Sequence, residues 1–302
     1  MIKAIPKGYE IKGYENLQNK LYFQTNSVYS YKQCNNCNYK VIDYGKPYSV
    51  LLRPSLDLRK RNAIVFMICT QPSETQLRMK FRKIISTKYS MYKIDYFFTL
   101  TRDNTITNGY YLLEKEQSVY HDLLVFNHTN SYANLALTVL LSFHYLNSQN
   151  LDFRYLVKTD ADCAVNIPLL YGILQHPSIT SKEHLYIGDC FRSTFSNPKK
   201  KHYVPREIIS DNPVVKSVAR GGLYVLSSKI IPYLLIGVRH LSFLTHQEDL
   251  TVGRSLNKMR FSCMNVYSKW ISRFGCAMNC SEYVIIHPKS SWNEIDSFYN
   301  LF

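Results

Sequence analysis

The chain has 302 residues with 46% apolar side chains, enough for one large α/β domain or two small ones, which excludes disorder over most of its length. Its 37 basic and 22 acidic residues leave a formal charge of +15, which invites an anionic partner such as a phosphorylated substrate. Lys and Arg are scattered, without the basic stripe and interleaved aromatics of a nucleic-acid binder, so no nucleic-acid partner is expected.

In chain order, Met1 to Asn19 is polar and charged, with no apolar segment that could act as a secretory signal or anchor. Residues 1–60 are rich in Tyr, Asn and Lys, lack a sustained period and read as a peripheral N-terminal region ahead of a main domain at 61–302. Cys34 and Cys37 form a CxxC, and Cys276 and Cys280 a second close pair. A four-thiolate zinc site would need the pairs to meet, so disulfides or free thiols are favoured. Ala63 to Cys69 is a continuous apolar run of strand length, as in a parallel sheet covered on both faces. After Pro72, apolar Leu77, Phe81, Ile84 and Ile85 keep helical spacing, with Arg78, Arg82 and Lys83 on the other face. Further strands are expected over Asp95–Leu100 and Asp122–Phe126. Asn127-His-Thr and Asn279-Cys-Ser are N-glycosylation acceptor triplets, which weakly favour a lumenal chain.

From Ser131, apolar Leu135, Val139, Phe143 and Leu146 predict an amphipathic helix. Tyr155 to Val157 reads as a buried strand, Asn166-Ile-Pro as a capped helix start, and Leu185–Ile187 and Leu223–Leu226 as short strands. The longest later apolar run, Ile230 to Leu244, is interrupted by Arg239 and His240 and falls short of the ~20 apolar residues of a membrane span. The alternation of strands and helices predicts an α/β domain with a mostly parallel central sheet and helices on both faces.

Asp160 and Asp162 follow the strand at Tyr155–Val157 directly, and ligands of open α/β sheets bind at the carboxyl ends of strands. Alternate residues of an extended turn can aim both at one hard cation that neutralises a departing diphosphate. A solvated turn, with one Asp capping the next helix, is the plainer use of the same residues. Glu248 and Asp249 stand at an expected helix start, where the dipole favours an ionised carboxylate, and they serve equally as a capping pair or a general base. Paired Gly221 and Gly222 permit close backbone approach or a tight turn.

The surrounding blocks resemble the β-1,3-galactosyltransferase family, glycosyltransferase family 31. Arg78 and Arg82 resemble its arginine-containing first helix; YHDLL at 120–124 with NSYANLALT at 130–138, YLVKTDADCAVN at 155–166, GGLYVLS at 221–227 and EDLTVG at 248–253 resemble its further blocks, in order, within a stretch from about Ala63 to Trp292. The resemblance implies a GT-A type, Rossmann-like single domain that binds a UDP-sugar donor and a glycan acceptor, uses Mn²⁺, and inverts the transferred galactose or N-acetylglucosamine. It implies Asp162 as metal ligand, with Asp160 on the nucleotide ribose or assisting the metal and His287 as a third ligand. Asp249 would be the general base, backed by Glu248, and Arg78, Arg82, Gly221 and Gly222 would line the donor site. A Golgi setting is implied, with membrane association only through an anchor not present in this sequence. The family's middle aspartate is Ala161 here, and its cysteine before the glycine block is Ala219. Ala161 keeps open an inactive relative that binds glycans or partners without transferring.

Overall fold

The structure is a computed structural model that describes residues 30–33, 40–43, 49–55, 63–92, 94–102, 109–128, 130–149, 153–193, 215–241, 245, 247–267, 269–272, 280–287 and 299. It divides into two units, Met1–Ser49 and Val50–Phe302. In the first, strands β1 (Ser30–Gln33) and β2 (Lys40–Asp43) pair antiparallel, with Ser30 opposite Asp43. Cys34, Cys37, Cys276 and Asn279 lie outside the described residues.

The second unit is built on one large sheet. Its strands are β3 (Val50–Leu52), β4 (Ala63–Cys69), β5 (Ile94–Thr101), β6 (Leu123–Phe126), β7 (Phe153–Asp160), β9 (Tyr186–Ser193) and β10 (Val215–Ser227), and a two-residue strand, β8 (Ala164–Val165), lies outside it. Across the sheet the order is β3-β6-β5-β4-β7-β10-β9. The central strands β6, β5, β4 and β7 run parallel, while β3, β10 and β9 pair antiparallel at the two sides. Pairing of Val50–Leu52 with β6 brings into this sheet a strand from within the stretch expected to be peripheral.

Seven helices pack on the sheet among the described residues: α1 (Thr75–Lys88), α2 (Gly109–Tyr120), α3 (Leu135–Ser148), α4 (Ile167–Gln175), α5 (Pro177–Thr180), α6 (Ile231–Arg239) and α7 (Glu248–Lys258). Strand alternation divides the core in two. Ile64, Phe66, Ile68, Phe98, Leu100, Val125, Tyr155 and Val157 pack with Phe81 and Ile85 of α1 and Leu170 of α4. The alternating residues Val65, Met67, Phe97, Leu124, Leu156 and Leu226 are equally buried. On that side Thr99 of β5 bonds Ser142 of α3, Oγ to Oγ at 2.6 Å. Burial on both faces explains the unbroken apolar run of β4 and why no period of two appears in it. The α/β class and the covered, parallel sheet centre expected from the strand and helix alternation are both present.

Two local features position the site. In α4, Asn166 Oδ1 accepts the Leu169 amide at 3.1 Å and Pro168 lies in the first turn, so the chain turns into helix soon after the DxD. Helix α7 is seated tightly: a Cβ on Gly253 would overlap the Val218 side chain of β10, and one on Gly237 of α6 would overlap the Ser255 carbonyl of α7. A disulfide joins Cys190 of β9 to Cys263, Cα to Cα 5.7 Å, a pairing that neither cysteine cluster in the sequence suggested.

Candidate active site

Asp160 ends β7 at the carboxyl edge of the sheet, opposite Cys69, the last residue of β4. The Ala161 amide donates to the Cys69 carbonyl at 2.9 Å and turns the chain across that edge. Two residues before Asp160, Lys158 points inward and is 0% exposed. A buried ammonium must be compensated. Its Nζ donates to Asp160 Oδ1 at 2.7 Å, to the Gly221 carbonyl at 2.7 Å and to Glu248 Oε1 at 2.6 Å, which uses all three of its hydrogens. Thr159 Oγ1 donates to the Gly222 carbonyl at 2.9 Å.

Gly221 and Gly222 sit in a bulge of β10. The register passes from Ala219 opposite Cys190 to Tyr224 opposite Gly188, so residues 220–223 face Asp189 alone. The bulge aims the two glycine carbonyls at Lys158 and Thr159. Space, more than backbone freedom, requires the first glycine: a Cβ at Gly221 would stand 2.6 Å from Glu248 Oε1, whereas one at Gly222 meets nothing nearer than 3.6 Å.

The two acids that open α7 take different roles. Glu248 turns inward, its side chain 5% exposed, and is held by Lys158 and by the Tyr224 hydroxyl, which donates to Oε2 at 3.0 Å. Tyr224 is the cross-strand neighbour of Lys158, so one register position supplies both donors. Burial raises the Glu248 carboxyl to about 7, against the pull of Lys158 and with a further push from Asp249 and Asp160. Burial would lower the Lys158 ammonium, but Asp160 and Glu248 hold it well above its ordinary range. Asp249 is half-buried, its Oδ2 accepting the Gly221 amide at 3.1 Å and its Oδ1 the Leu250 amide at 2.7 Å. The negative field of Asp249, Glu248 and Asp160 reaches Tyr132, whose phenol burial and these acids raise to about 12.

A second cluster adjoins the first. Strand β12 (Ile285–Ile286) pairs antiparallel with β8, Ile286 opposite Ala164, and with β11 (Ile271–Ser272) completes a small second sheet. This register carries His287 to the DxD turn, where its Nε2 lies 3.6 Å from Asp162 Oδ2, the two side chains 40% and 47% exposed. Asp162, Cys163 and His287 each offer one ligand atom, all within 4.8 Å of one another. Half-exposed carboxylate and imidazole donors suit a divalent ion, whereas Cys163 is buried with its thiol held protonated by that burial. Asp160 is 28% exposed, and its Oδ1 is committed to Lys158.

The guanidinium groups of Arg78 and Arg82, expected on the donor, are engaged by acids and carbonyls of the chain itself. Arg78 bonds Glu116 through Nε at 2.8 Å and Nη2 at 2.7 Å, and the carbonyls of Gln71 at 2.7 Å and Pro72 at 3.3 Å. Arg82 forks onto Asp122 at 2.8 and 2.7 Å and reaches Glu116 at 2.7 Å. Both are buried, and charge pairing explains the placement: two guanidinium groups and two carboxylates neutralise one another under the sheet edge. Arg78 thereby fixes the loop that follows β4.

Lys158 and Tyr224 did not stand out in the sequence as site residues. The available signal was a lysine inside an otherwise apolar strand two residues before an aspartate, since an inward cation in a buried strand requires an acid partner.

Fold and site together define an α/β domain whose acids gather at the carboxyl ends of its parallel strands. The chain belongs to the family described as Galactosyltransferase, whose profile matches residues 69–266. It is 27% identical over 149 residues to beta-1,3-galactosyltransferase 1 of Mus musculus, covering 49% of this chain and 45% of that protein. To beta-1,3-galactosyltransferase 2 of Mus musculus it is 25% identical over 259 residues, covering 82% of this chain and 58% of the relative. The chain thus spans about half the length of these curated relatives. Among solved structures, the galactosyltransferase LgtC in complex with donor and acceptor sugar analogs aligns with 9% identity and a TM-score of 0.43, over 80% of this chain and 96% of that one.

Proposed function

We propose that this chain is an inverting β-1,3-hexosyltransferase that moves galactose or N-acetylglucosamine from a UDP-sugar to a hydroxyl of a glycan acceptor. The observation that carries the reading is the junction at Lys158: one buried ammonium holds both Asp160, at the end of β7, and Glu248, the neighbour of Asp249. An acid at the sheet edge where phosphates of a donor would lie and an acid for the acceptor are thereby kept beside each other.

Asp249 is the base in this reading. The Gly221 amide donates to its Oδ2 and the Leu250 amide to its Oδ1, which fixes the orientation of a half-buried carboxylate beside the glycine bulge. Glu248 does not compete for the role, because Lys158 and Tyr224 engage both of its oxygens. As the acceptor oxygen forms its bond to the anomeric carbon, the bond from that carbon to the UDP oxygen breaks, the acceptor proton passes to Asp249, and configuration inverts. Asp162 and His287 would hold the divalent ion, and when bound it supplies charge neutralisation to the leaving diphosphate. The chemistry of the donor set supports Mn²⁺ or a similar ion. The Cys190–Cys263 disulfide supports an oxidising compartment such as the Golgi lumen.

The test is a donor screen by product mass spectrometry, UDP-galactose and UDP-N-acetylglucosamine against a mixed glycan acceptor set, with and without Mn²⁺. Metal-dependent transfer of one hexose is the expected result. An absence of turnover with every donor would favour the inactive, glycan-binding relative that Ala161 leaves open.

A further inference from the structure

We infer that Lys158 is a positioning residue for transfer: its ammonium sets the spacing between the donor-side acid Asp160 and the acceptor-side acid Asp249. This inference rests on the transfer reading above and goes beyond it by assigning the geometry to one residue that contacts no substrate.

The connection is a continuous run of hydrogen bonds. Lys158 Nζ reaches Asp160 Oδ1 at 2.7 Å on its own strand. Through a second hydrogen it reaches the Gly221 carbonyl at 2.7 Å, and the amide of the same glycine donates to Asp249 Oδ2 at 3.1 Å. Through the third it reaches Glu248 Oε1 at 2.6 Å, which anchors the first residue of α7, beside Asp249. Asp249 is therefore tied to Lys158 both through the Gly221 residue and through its own helix. Lys158 is 0% exposed, and Tyr224 closes the far side of Glu248.

A lysine whose only task was to neutralise Glu248 would need one of these bonds. The three together span β7 and α7, the elements that carry the site acids, and the β10 bulge that lies against both. Their relative placement follows the length of one side chain. Effective alignment of reacting groups is sensitive at this scale: a displacement of ~1 Å can cost ~10²-fold in rate.

The experiment separates positioning from charge balance. Lys158→Met and the double variant Lys158→Met/Glu248→Gln are prepared in the full chain. Melting temperature, affinity for UDP by calorimetry, and kcat for transfer from UDP-galactose and from UDP-N-acetylglucosamine to a mixed glycan acceptor set are then measured. The single variant leaves Glu248 buried without its cation and is expected to melt well below wild type. The double variant removes both charges and is expected to recover most of that loss. UDP affinity should then stay within ~3-fold of wild type while kcat remains depressed by ~10²-fold, because the tie between Asp160 and Asp249 is still missing. A double variant that recovers kcat as well as stability would reduce Lys158 to a counter-ion and overturn the inference. Should the double variant not fold, Lys158→Arg keeps the charge and alters its reach. A normal melting temperature with kcat lowered at least ~10-fold supports positioning, and unchanged kcat overturns it. Wild-type protein without turnover overturns the transfer reading itself and this inference with it, an outcome distinct from an active wild type with an active double variant.

Discussion

Replacing Arg82 with alanine tests whether the arginines of α1 serve the fold or the donor. Arg82 gives two hydrogen bonds to Asp122, at 2.8 and 2.7 Å, and one to Glu116 at 2.7 Å, with its side chain 7% exposed. Truncation leaves Asp122 buried without its guanidinium partner and Glu116 with Arg78 alone. Loss of one member of a buried ionic pair costs about 3–5 kcal/mol. The guanidinium also lies 4.0 Å from the Tyr120 ring centroid and 5.0 Å from that of Phe98, which adds about 1 kcal/mol. At roughly 2–4 °C per kcal/mol for a domain of this size, the melting temperature should fall by about 10–20 °C. Thermal unfolding followed by circular dichroism measures this, and calorimetric titration with UDP, run where both proteins are folded, measures donor affinity. The geometry requires a large thermal loss with UDP affinity close to wild type. A small thermal loss with UDP binding weakened more than ~10-fold would refute the argument and return Arg82 to the donor site, since removing a charge-assisted hydrogen bond to the donor would weaken binding by at least that factor.

The site itself supports further expectations. Gly221→Ala drives a methyl group against the Glu248 oxygen that Lys158 holds, and should cost about 2 kcal/mol in chemical denaturation together with most of the transfer activity. Gly222→Ala, with its nearest neighbour at 3.6 Å, should be tolerated in both assays. Asp249→Asn should lower kcat by ~10²-fold or more while metal-dependent UDP affinity stays normal, and transfer that persists would move the base to another group. Because the folded Glu248 carboxyl is raised to about 7 from an ordinary 4.5, ionising it costs stability as pH rises through that window. Glu248→Gln should therefore gain stability relative to wild type between pH 4.5 and 7 in denaturant titrations. His144, lowered to about 4 by burial and Arg239, makes both proteins more stable as pH rises over much of the same range, so the difference between them is the informative quantity.

The covered strands were legible because burial on both faces writes an unbroken apolar run, as Ala63 to Cys69 does. The long helix at Leu135–Ser148 was legible from its spacing, although nine of its residues are buried, a wider face than one apolar stripe implies. The sheet-edge position of the DxD followed from the strand preceding it. What remained hidden depends on pairing between distant segments. Nothing local tells that Tyr224 stands opposite Lys158, or that Ile286 opposite Ala164 brings His287 to Asp162. The acid partners of Arg78 and Arg82 were hidden for the same reason: Glu116 and Asp122 are some forty residues away in sequence. Likewise the Cys190–Cys263 bridge spans 73 residues and joins two cysteines that belong to neither close pair.

The seating of α7 has a mechanical consequence. With Gly253 flush against Val218 and Gly237 against the Ser255 backbone, the helix rests like a shaft in a two-sided bearing and has no clearance in which to slide or roll. Glu248 and Asp249 ride on the end of that shaft. Their aim is therefore governed from one to three turns down the helix, at positions that bear no charge and touch no substrate. A single added carbon there would swing both acids together, and a search for activity-altering changes confined to polar residues would overlook it.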